Sequence, residues 1–170
     1  MNKLSIIAVI LCFTYSGYTQ QEIKAVKLEE VTISPILNHS YRNMVLAETS
    51  PDYVQNLQSE AATYDIRKDP DYKKDFEVYQ VIFSQTNGSI IATYDATGHV
   101  LSTLEKFKDV TPPQPVRNSI QMKYPDWTIH KDLYRVTYYH GKGATKVYQL
   151  QLRKNNSKKN LKIDSDGRIL

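Results

Sequence analysis

The stretch VYQLQLRKNNSKKNLKIDSDGRIL, residues 147–170, is a near-copy of VYQVIFSQTNGSIIATYDATGHVL, residues 78–101. The two align without a gap at an offset of 69 residues, from 78 to 147. Most apolar positions match apolar positions, and the identical pairs are Val78/Val147, Tyr79/Tyr148, Gln80/Gln149, Asn87/Asn156, Asp95/Asp164, Gly98/Gly167 and Leu101/Leu170. A repeat of this kind indicates an internal duplication of one supersecondary unit.

Each copy has the pattern of strands joined by tight turns. VYQVIF and VYQLQL are rich in β-forming residues, and each is followed by an Asn-containing turn, at Asn87 and Asn156. A second reversal follows in each copy, where Asp-x-x-Gly lets an aspartate bond its own turn and a glycine accept a positive φ. We therefore predict two strands, a turn and a third strand in each copy.

A helix is predicted before each copy. The first starts after Ser50 and Pro51, and the second is ended by Pro125. Apolar residues recur at helical spacing in both, namely Val54, Leu57, Ala61 and Tyr64 in the first and Val116, Ile120 and Tyr124 in the second. Residues 133–139 predict an extra strand that turns through Gly141 and Gly143, residues 22–33 an edge strand, and residues 34–49 a loop.

These elements predict an α+β fold of tandem helix-plus-antiparallel-sheet units, with the helices packed on one sheet face. We divide the chain into a signal peptide (1–19), an N-terminal strand and loop (20–49), a first helix–sheet repeat (50–107) and a second repeat (108–170). A chain of 170 residues is long enough to bury one core.

The N-terminus has the pattern of an export signal. Lys3 precedes an apolar run over residues 4–13, and small residues follow at 17–19. The run is too short to span a bilayer, and the single cysteine, Cys12, lies within it. We expect an exported protein, periplasmic or secreted and not embedded in the membrane, whose mature part has no disulfide.

Strand alternation separates two sheet faces. Tyr79, Val81 and Phe83, with their repeat partners Tyr148, Leu150 and Leu152, should face the helices. The opposite face is mixed in character and is our predicted binding surface, formed by Val78, Gln80, Ile82, Arg135, Thr137, Tyr139, Val147, Gln149 and Gln151.

The sequence offers no pattern for catalysis, a metal or a cofactor. Its histidines are isolated from one another, at positions 39, 99, 130 and 140, and no G-x-S-x-G elbow is present. DSDG at 164–167 resembles the start of a calcium loop, but no glutamate follows at the twelfth position, so a turn is the better interpretation. We predict no catalytic residue, no metal ligand and no cofactor.

The formal net charge is +4, and basic residues concentrate at Arg153, Lys154, Lys158, Lys159 and Lys162. An anionic surface is one interpretation of this cluster, and a solvated hairpin tip is the commoner one. We expect no nucleic-acid partner.

Two motifs carry a family resemblance. The helix pattern P-x-x-V-x-x-x-I-x-x-x-Y-P-x-W is matched by Pro113, Val116, Ile120, Tyr124, Pro125 and Trp127, and the closing D-x-x-G-x-hydrophobic-Leu is matched by Asp164, Gly167, Ile169 and Leu170. The chain thereby resembles the β-lactamase-inhibitor-like, PepSY-like domains of exported Bacteroidetes proteins. The resemblance implies the tandem fold above and an exposed sheet face that, in the namesake inhibitor, clamps a partner protein. It implies no catalytic residues.

Chains of this type are sometimes assigned as nicotinate-nucleotide adenylyltransferases, but the motifs here do not support that activity. HGKG at 140–143 lacks the second histidine of the required phosphate motif and falls in a predicted β-hairpin instead of a strand-to-helix turn.

We therefore expect an exported, non-enzymatic, monomeric binding module whose partner is an envelope or extracellular protein. The alternative is a small envelope ligand-binding or hydrolytic protein with a pocket between the helices and the sheet.

Overall fold

The computed structural model describes residues 37–170. Its helices are α1 (His39–Val45), α2 (Asp52–Thr63) and α3 (Gln114–Lys123), with a 3-10 turn at Ile66–Lys68. Its strands are β1 (Val78–Gln85), β2 (Gly88–Asp95), β3 (Val100–Lys108), β4 (Thr128–Tyr139), β5 (Gly143–Lys154) and β6 (Ser157–Asp164).

The six strands form one continuous antiparallel sheet in the order β1-β2-β3-β4-β5-β6. The prediction of an α+β fold with tandem helix-plus-sheet units is wrong, because the sheet dominates the described residues and the helices are short. The two halves join where β3 continues beyond the first copied stretch (78–101) and pairs with β4, from Ser102↔Tyr139 to Lys108↔Leu133. This pairing satisfies backbone groups that two separate units would leave at open edges.

The two copies of the repeat form the same hairpin in the same register. Pairing runs from Val78↔Asp95 to Gln85↔Gly88 in the first copy, and from Val147↔Asp164 to Lys154↔Ser157 in the second. Every pair is displaced by the 69 residues of the sequence alignment. The predicted hairpins are confirmed.

The second reversals also match. The side-chain Oδ1 of Asp95 accepts from the backbone N–H of Thr97 and His99, and Oδ1 of Asp164 accepts from those of Asp166 and Arg168. The glycines of the two turns also have the same positive φ, 92° at Gly98 and 89° at Gly167. Both predicted Asp-x-x-Gly turns are therefore confirmed. The third strand predicted after each turn is present as β3 in the first copy, but the prediction is wrong for the second, where only the isolated bridge Ile163↔Ile169 forms.

Both predicted helices are present. α2 buries Val54, Leu57 and Ala61, although the Ser50 side chain does not cap it. α3 begins after Pro113 and ends before Pro125, as the prolines predicted. The structure differs at α1, which lies inside the predicted loop 34–49; a helix of seven residues is too short to show a clear helical period.

The core lies between the helices and one face of the sheet, which we call the inner face. The predicted inner-face residues Tyr79, Phe83, Tyr148, Leu150 and Leu152 are buried, and Val81 is half-buried. Tyr94 donates a hydrogen bond from its hydroxyl to the Ala61 carbonyl of α2 at 2.8 Å, and Tyr134 stacks on Tyr148 with 4.7 Å between ring centroids. The opposite face is called the outer face.

The predicted signal peptide (1–19), Cys12 and the predicted edge strand (22–33) lie outside the described residues. Among the helices that the structure describes, none is both long enough and apolar enough to cross a membrane.

Candidate functional site

The nine residues of the predicted binding surface all lie on the outer face, but in two groups. Val78, Gln80 and Ile82 are on β1 at one edge of the sheet. The other six are on the adjacent strands β4 and β5, namely Arg135, Thr137, Tyr139, Val147, Gln149 and Gln151. The strands β2 and β3 separate the two groups, so they do not form one cluster by themselves.

An apolar strip occupies the outer face of β1–β3. Ile82 pairs with Ile91, and Ile91 pairs with Leu104, so the three side chains form one row across neighbouring strands. Ile82 is 65% exposed, Leu104 is 45% exposed and Val78 is 52% exposed. We define the apolar strip as Val78, Ile82, Ile91 and Leu104.

Ile91 and Leu104 are not among the binding residues predicted from the sequence. Successive residues of a strand point to opposite faces of the sheet, so Ile91 lies on the other face from buried Ala92, and Leu104 on the other face from buried Glu105. The faces of β2 and β3 could therefore have been assigned from the sequence pattern. On β4 the row continues with Thr137, which pairs with Leu104. A hollow of about 110 Å³ lies beside this row and connects the apolar strip to Arg135 and Thr137.

The second group is less exposed than the first. Of its six members only Tyr139, at 51%, keeps half of its surface exposed; the others are half-buried. Tyr139 pairs with Ser102 of β3, and Gln149 pairs with Lys162 of β6. Gln149 and Gln151 belong to a concave region at the other end of the outer face.

This region is a groove of about 850 Å³ formed by β3–β6 and the last residues of the chain. We call it the basic groove and define it by its polar outer-face residues, which are Lys108, Lys131, Lys162, Gln149, Gln151 and Asn160. Lys108 and Lys162 lie in one cross-strand row through Leu133 and Gln149, and Lys131 starts the neighbouring row through Gln151 and Asn160.

The pKa shifts around the groove reflect burial and positive charge. Burial, followed by the charges of Arg153, Lys131 and Lys158, lowers the pKa of His130. Burial raises the pKa of Asp132 in the groove wall, although the backbone N–H of Val110 donates to that carboxylate at 2.8 Å.

A buried polar cluster on the inner face was also missed. Glu105 is 2% exposed and accepts three hydrogen bonds, from the Tyr41 hydroxyl (2.9 Å), the Gln58 amide (2.7 Å) and the Thr103 hydroxyl (2.8 Å). Burial raises its pKa, and the three hydrogen bonds only partly oppose this. The sequence did contain a signal for this cluster, because alternation places Glu105 on the same inner face as Thr103 and Phe107.

This cluster joins α1 and α2 to β3, because Tyr41 belongs to α1 and Gln58 to α2. It lies in the packed core instead of an open cleft, so its geometry assigns it a structural role. The side chains of Tyr41, Leu57, Tyr94 and Phe107 are buried in the core between the sheet and helices α1 and α2.

Within residues 37–170 no group of three or more His, Cys, Asp or Glu side chains could hold a metal ion. Asp164 of DSDG accepts backbone hydrogen bonds within its own turn. HGKG forms the turn between β4 and β5, where the His140 N–H donates to the Leu101 carbonyl at 2.8 Å.

The residues of the Pro113–Trp127 helix motif form a local packing unit. Val116 and Ile120 are the buried residues of α3. Tyr124 and Trp127, which follow that helix, pack edge to face with 6.3 Å between ring centroids, and the ammonium of Lys159 lies 4.8 Å from the Tyr124 ring. The helix motif therefore contributes to packing, whereas Ile169 and Leu170 of the closing motif line the basic groove.

Comparisons with known proteins give little further information. No protein-family profile matches the chain, and no curated protein matches it. The chain is similar to a crystal structure of a DUF2874 family protein from Bacteroides ovatus ATCC 8483, with 17% sequence identity, 73% of this chain and 86% of that chain covered, and a TM-score of 0.34. The description of that protein names no activity, and at this TM-score the likeness supports no inference about function.

Proposed function

We propose that this chain is an exported, non-enzymatic binding protein that contacts another envelope or extracellular protein through its outer sheet face. The observation that carries the proposal is the apolar strip. Its row across β1–β3 leaves Ile82 and Leu104 exposed on the face opposite the helices. Apolar side chains that adjoin one another at a surface mark interaction sites more often than scattered ones do.

The surroundings of the strip resemble those of a protein interface. An aromatic residue, Tyr139, lies two strands from Ile91 on the same face and is half exposed. Hydroxyl and amide groups border the strip, namely those of Gln80, Ser89, Thr93 and Ser102. An apolar centre with a polar rim and an exposed tyrosine is the composition that protein interfaces favour.

Two sequence features support the finer parts of the proposal. The export signal at residues 1–19 favours a periplasmic or secreted protein. The helix motif from Pro113 to Trp127 supports membership of the β-lactamase-inhibitor-like, PepSY-like domains, in which a sheet face binds a partner. The proposal assigns neither β-lactamase inhibition nor nucleotide chemistry to this chain.

The test is affinity capture from the envelope and culture fluid of the native host with the tagged chain. The face variant is Ile82→Gln with Leu104→Gln, which makes the strip polar. We expect the variant to fold, because surface substitutions usually change the free energy of unfolding by no more than about 0.5 kcal/mol. The partner should be recovered with the unchanged chain and lost with the variant.

The matched control is Met44→Gln with Met122→Gln, which removes two exposed apolar side chains from the helices; these methionines are 50% and 79% exposed. The control should retain the partner. Equal capture by all three proteins, or loss of the partner with the control alone, would show that the outer face is not the binding surface.

A further inference from the structure

The basic groove contains lysines from three different strands. Lys108 is on β3, Lys131 on β4 and Lys162 on β6, and all three side chains are exposed. The ion pairs found among the described residues involve other cations, so none of these lysines has a carboxylate within 4.0 Å in that part of the chain. Three lysines and two aspartates, Asp109 and Asp132, line this concavity, so positive charge is in excess there and favours an anionic ligand.

The neutral polar groups of the groove are amides. Gln149, Gln151 and Asn160 each offer a donor and an acceptor, which are the two groups that a peptide bond presents. The Gln151 amide donates to Asn160 Oδ1 at 3.4 Å, which is a long hydrogen bond and therefore easily exchanged for one to a ligand. The amides therefore match the backbone of an extended peptide.

Other anionic polymers fit less well. The carboxylates of Asp109 and Asp132 lie in the groove wall and would repel a ligand that carries a charge on every unit. No Phe, Tyr or Trp side chain is found among the described residues that line the groove, so it lacks the large stacking platforms that single-stranded nucleic acids use. A peptide with spaced carboxylates avoids both difficulties.

The strand geometry sets the spacing of those carboxylates. Lys108 and Lys162 lie in one cross-strand row and are three strand spacings apart, or roughly 14 Å at the backbone. An extended peptide covers about the same distance in four residues. Two acidic residues at positions i and i+4 would therefore reach both lysines at once.

We propose that the basic groove binds an extended acidic segment of the partner protein, with carboxylates four residues apart that pair with Lys108 and Lys162. This inference rests on the proposed function, because it assigns the chemistry of the partner at one end of the same outer face. The apolar strip and the basic groove are then two parts of one protein interface.

The test is a titration of the isotope-labelled full chain with short peptides, followed by the backbone amide signals in NMR. The peptides consist of serine, threonine and glycine with two glutamates, placed four residues apart in one and two residues apart in the other; a third carries glutamines instead. The i and i+4 peptide should shift the amides of Gln149 and Gln151 saturably and bind more tightly than the other two. Added salt should weaken its binding.

The groove variants are Lys108→Gln and Lys162→Thr, the second of which introduces the residue found at the equivalent position 93 of the first copy. Each should weaken the i and i+4 peptide by about threefold, as expected for an exposed ion pair. The controls, Lys73→Gln and Lys123→Gln, each remove one charge outside the groove and should leave the affinity unchanged.

Several outcomes would overturn the inference. They are the absence of saturable shifts, equal weakening by the groove and control variants, and equal or tighter groove binding by heparin or a single-stranded oligonucleotide. If the peptide fails to bind while capture still depends on Ile82 and Leu104, the inference is wrong and the proposed function remains. If the peptide binds as expected while capture ignores the apolar strip, the groove assignment is supported and the strip is not the binding surface.

Discussion

The two copies of the repeat share one backbone but have different outer faces. At most inner-face positions the side chains remain apolar, as in Tyr79/Tyr148, Val81/Leu150 and Phe83/Leu152. Ile90/Lys159 is an exception, and the Lys159 ammonium lies over the rings of Tyr124 and Trp127. At outer-face positions apolar and hydroxyl side chains of the first copy correspond to basic and amide ones of the second, as in Ile82/Gln151, Ser84/Arg153, Ser89/Lys158, Ile91/Asn160 and Thr93/Lys162.

The difference shows which positions the fold constrains. Inner-face side chains pack against helices, so a polar replacement there costs burial and leaves a hydrogen-bonding group unsatisfied. Among the described residues, the outer-face side chains of the two hairpins are exposed or half-buried, so apolar, amide and basic side chains can replace one another there without loss of the fold. Ile82 and Ile91 of the apolar strip are therefore equivalent in the repeat to Gln151 and Asn160 of the basic groove, whereas Leu104, Lys108 and Lys131 lie outside both copies.

The largest expected effect is the loss of stability when a polar side chain is placed on the inner face instead of the outer face. Leu152→Gln and Phe83→Gln place an amide in the core, where the two side chains are 0% and 6% exposed, and each should lower the free energy of unfolding by about 4 kcal/mol. Ile82→Gln, next to Phe83 but on the outer face, should change it by no more than about 0.5 kcal/mol. Urea denaturation followed by tyrosine and tryptophan fluorescence measures all three. Similar losses at positions 82 and 83 would show that the two faces are not distinct.

An effect of intermediate size is expected from alanine substitutions in the two Asp-x-x-Gly turns. Gly98 and Gly167 both have φ near +90°, but a Cβ at Gly167 would lie 2.5 Å from the Pro115 carbonyl oxygen, whereas the nearest atoms to one at Gly98 are 3.7 Å away. Gly98→Ala should cost about 1 kcal/mol from backbone strain alone. Gly167→Ala should cost about 3 kcal/mol, because it must also displace α3.

The same denaturation experiment checks the glycine pair. Equal costs would mean that α3 can shift away from the second turn without loss of packing. In that case the second copy would be less firmly attached to its helix than the distances indicate.

The smallest effect concerns Glu105, which lies on β3 beyond the end of the first copy. Its pKa in the folded protein is raised above the ordinary value of 4.5, so the folded chain holds a proton more tightly than the unfolded chain does. Its contribution to stability is therefore fully present below pH 4.5 and is lost as the pH rises through the raised pKa. Relative to Glu105→Gln, the unchanged chain should gain stability as the pH falls from neutral toward 4.5.

Denaturation midpoints of both proteins across that range provide the measurement, and the difference between them removes the contribution of the other titrating groups. Parallel curves would contradict the raised pKa. A loss of stability toward acid relative to the variant would mean that the hydrogen bonds from Tyr41, Gln58 and Thr103 outweigh burial.

Much of the local structure could be predicted from the sequence. The two hairpins follow from the alternation of VYQVIF and VYQLQL and from the Asn-containing turns. The ends of α3 follow from Pro113 and Pro125. The inner face of β1 and β5 was identified because a period of two places buried residues on one side of a strand. All nine predicted binding residues consequently lie on the outer face.

The candidate site was predicted less completely. Ile91, Leu104 and the lysines at 108 and 131 were not included, because their importance depends on which strands are neighbours in the sheet. Glu105 was missed for a similar reason: its hydrogen-bond donors Tyr41 and Gln58 lie 64 and 47 residues away in the chain.

The sequence by itself determined the repeat, its register, its turns and the apolar inner side of each hairpin, because these depend on side-chain alternation and on interactions between residues close in the chain. Tertiary structure decided that the two copies form one sheet, since the β3–β4 pairing joins backbone edges that no local pattern specifies. It also decided that the apolar strip and the basic groove share one face, because the twist and order of six strands bring together residues from separate parts of the chain.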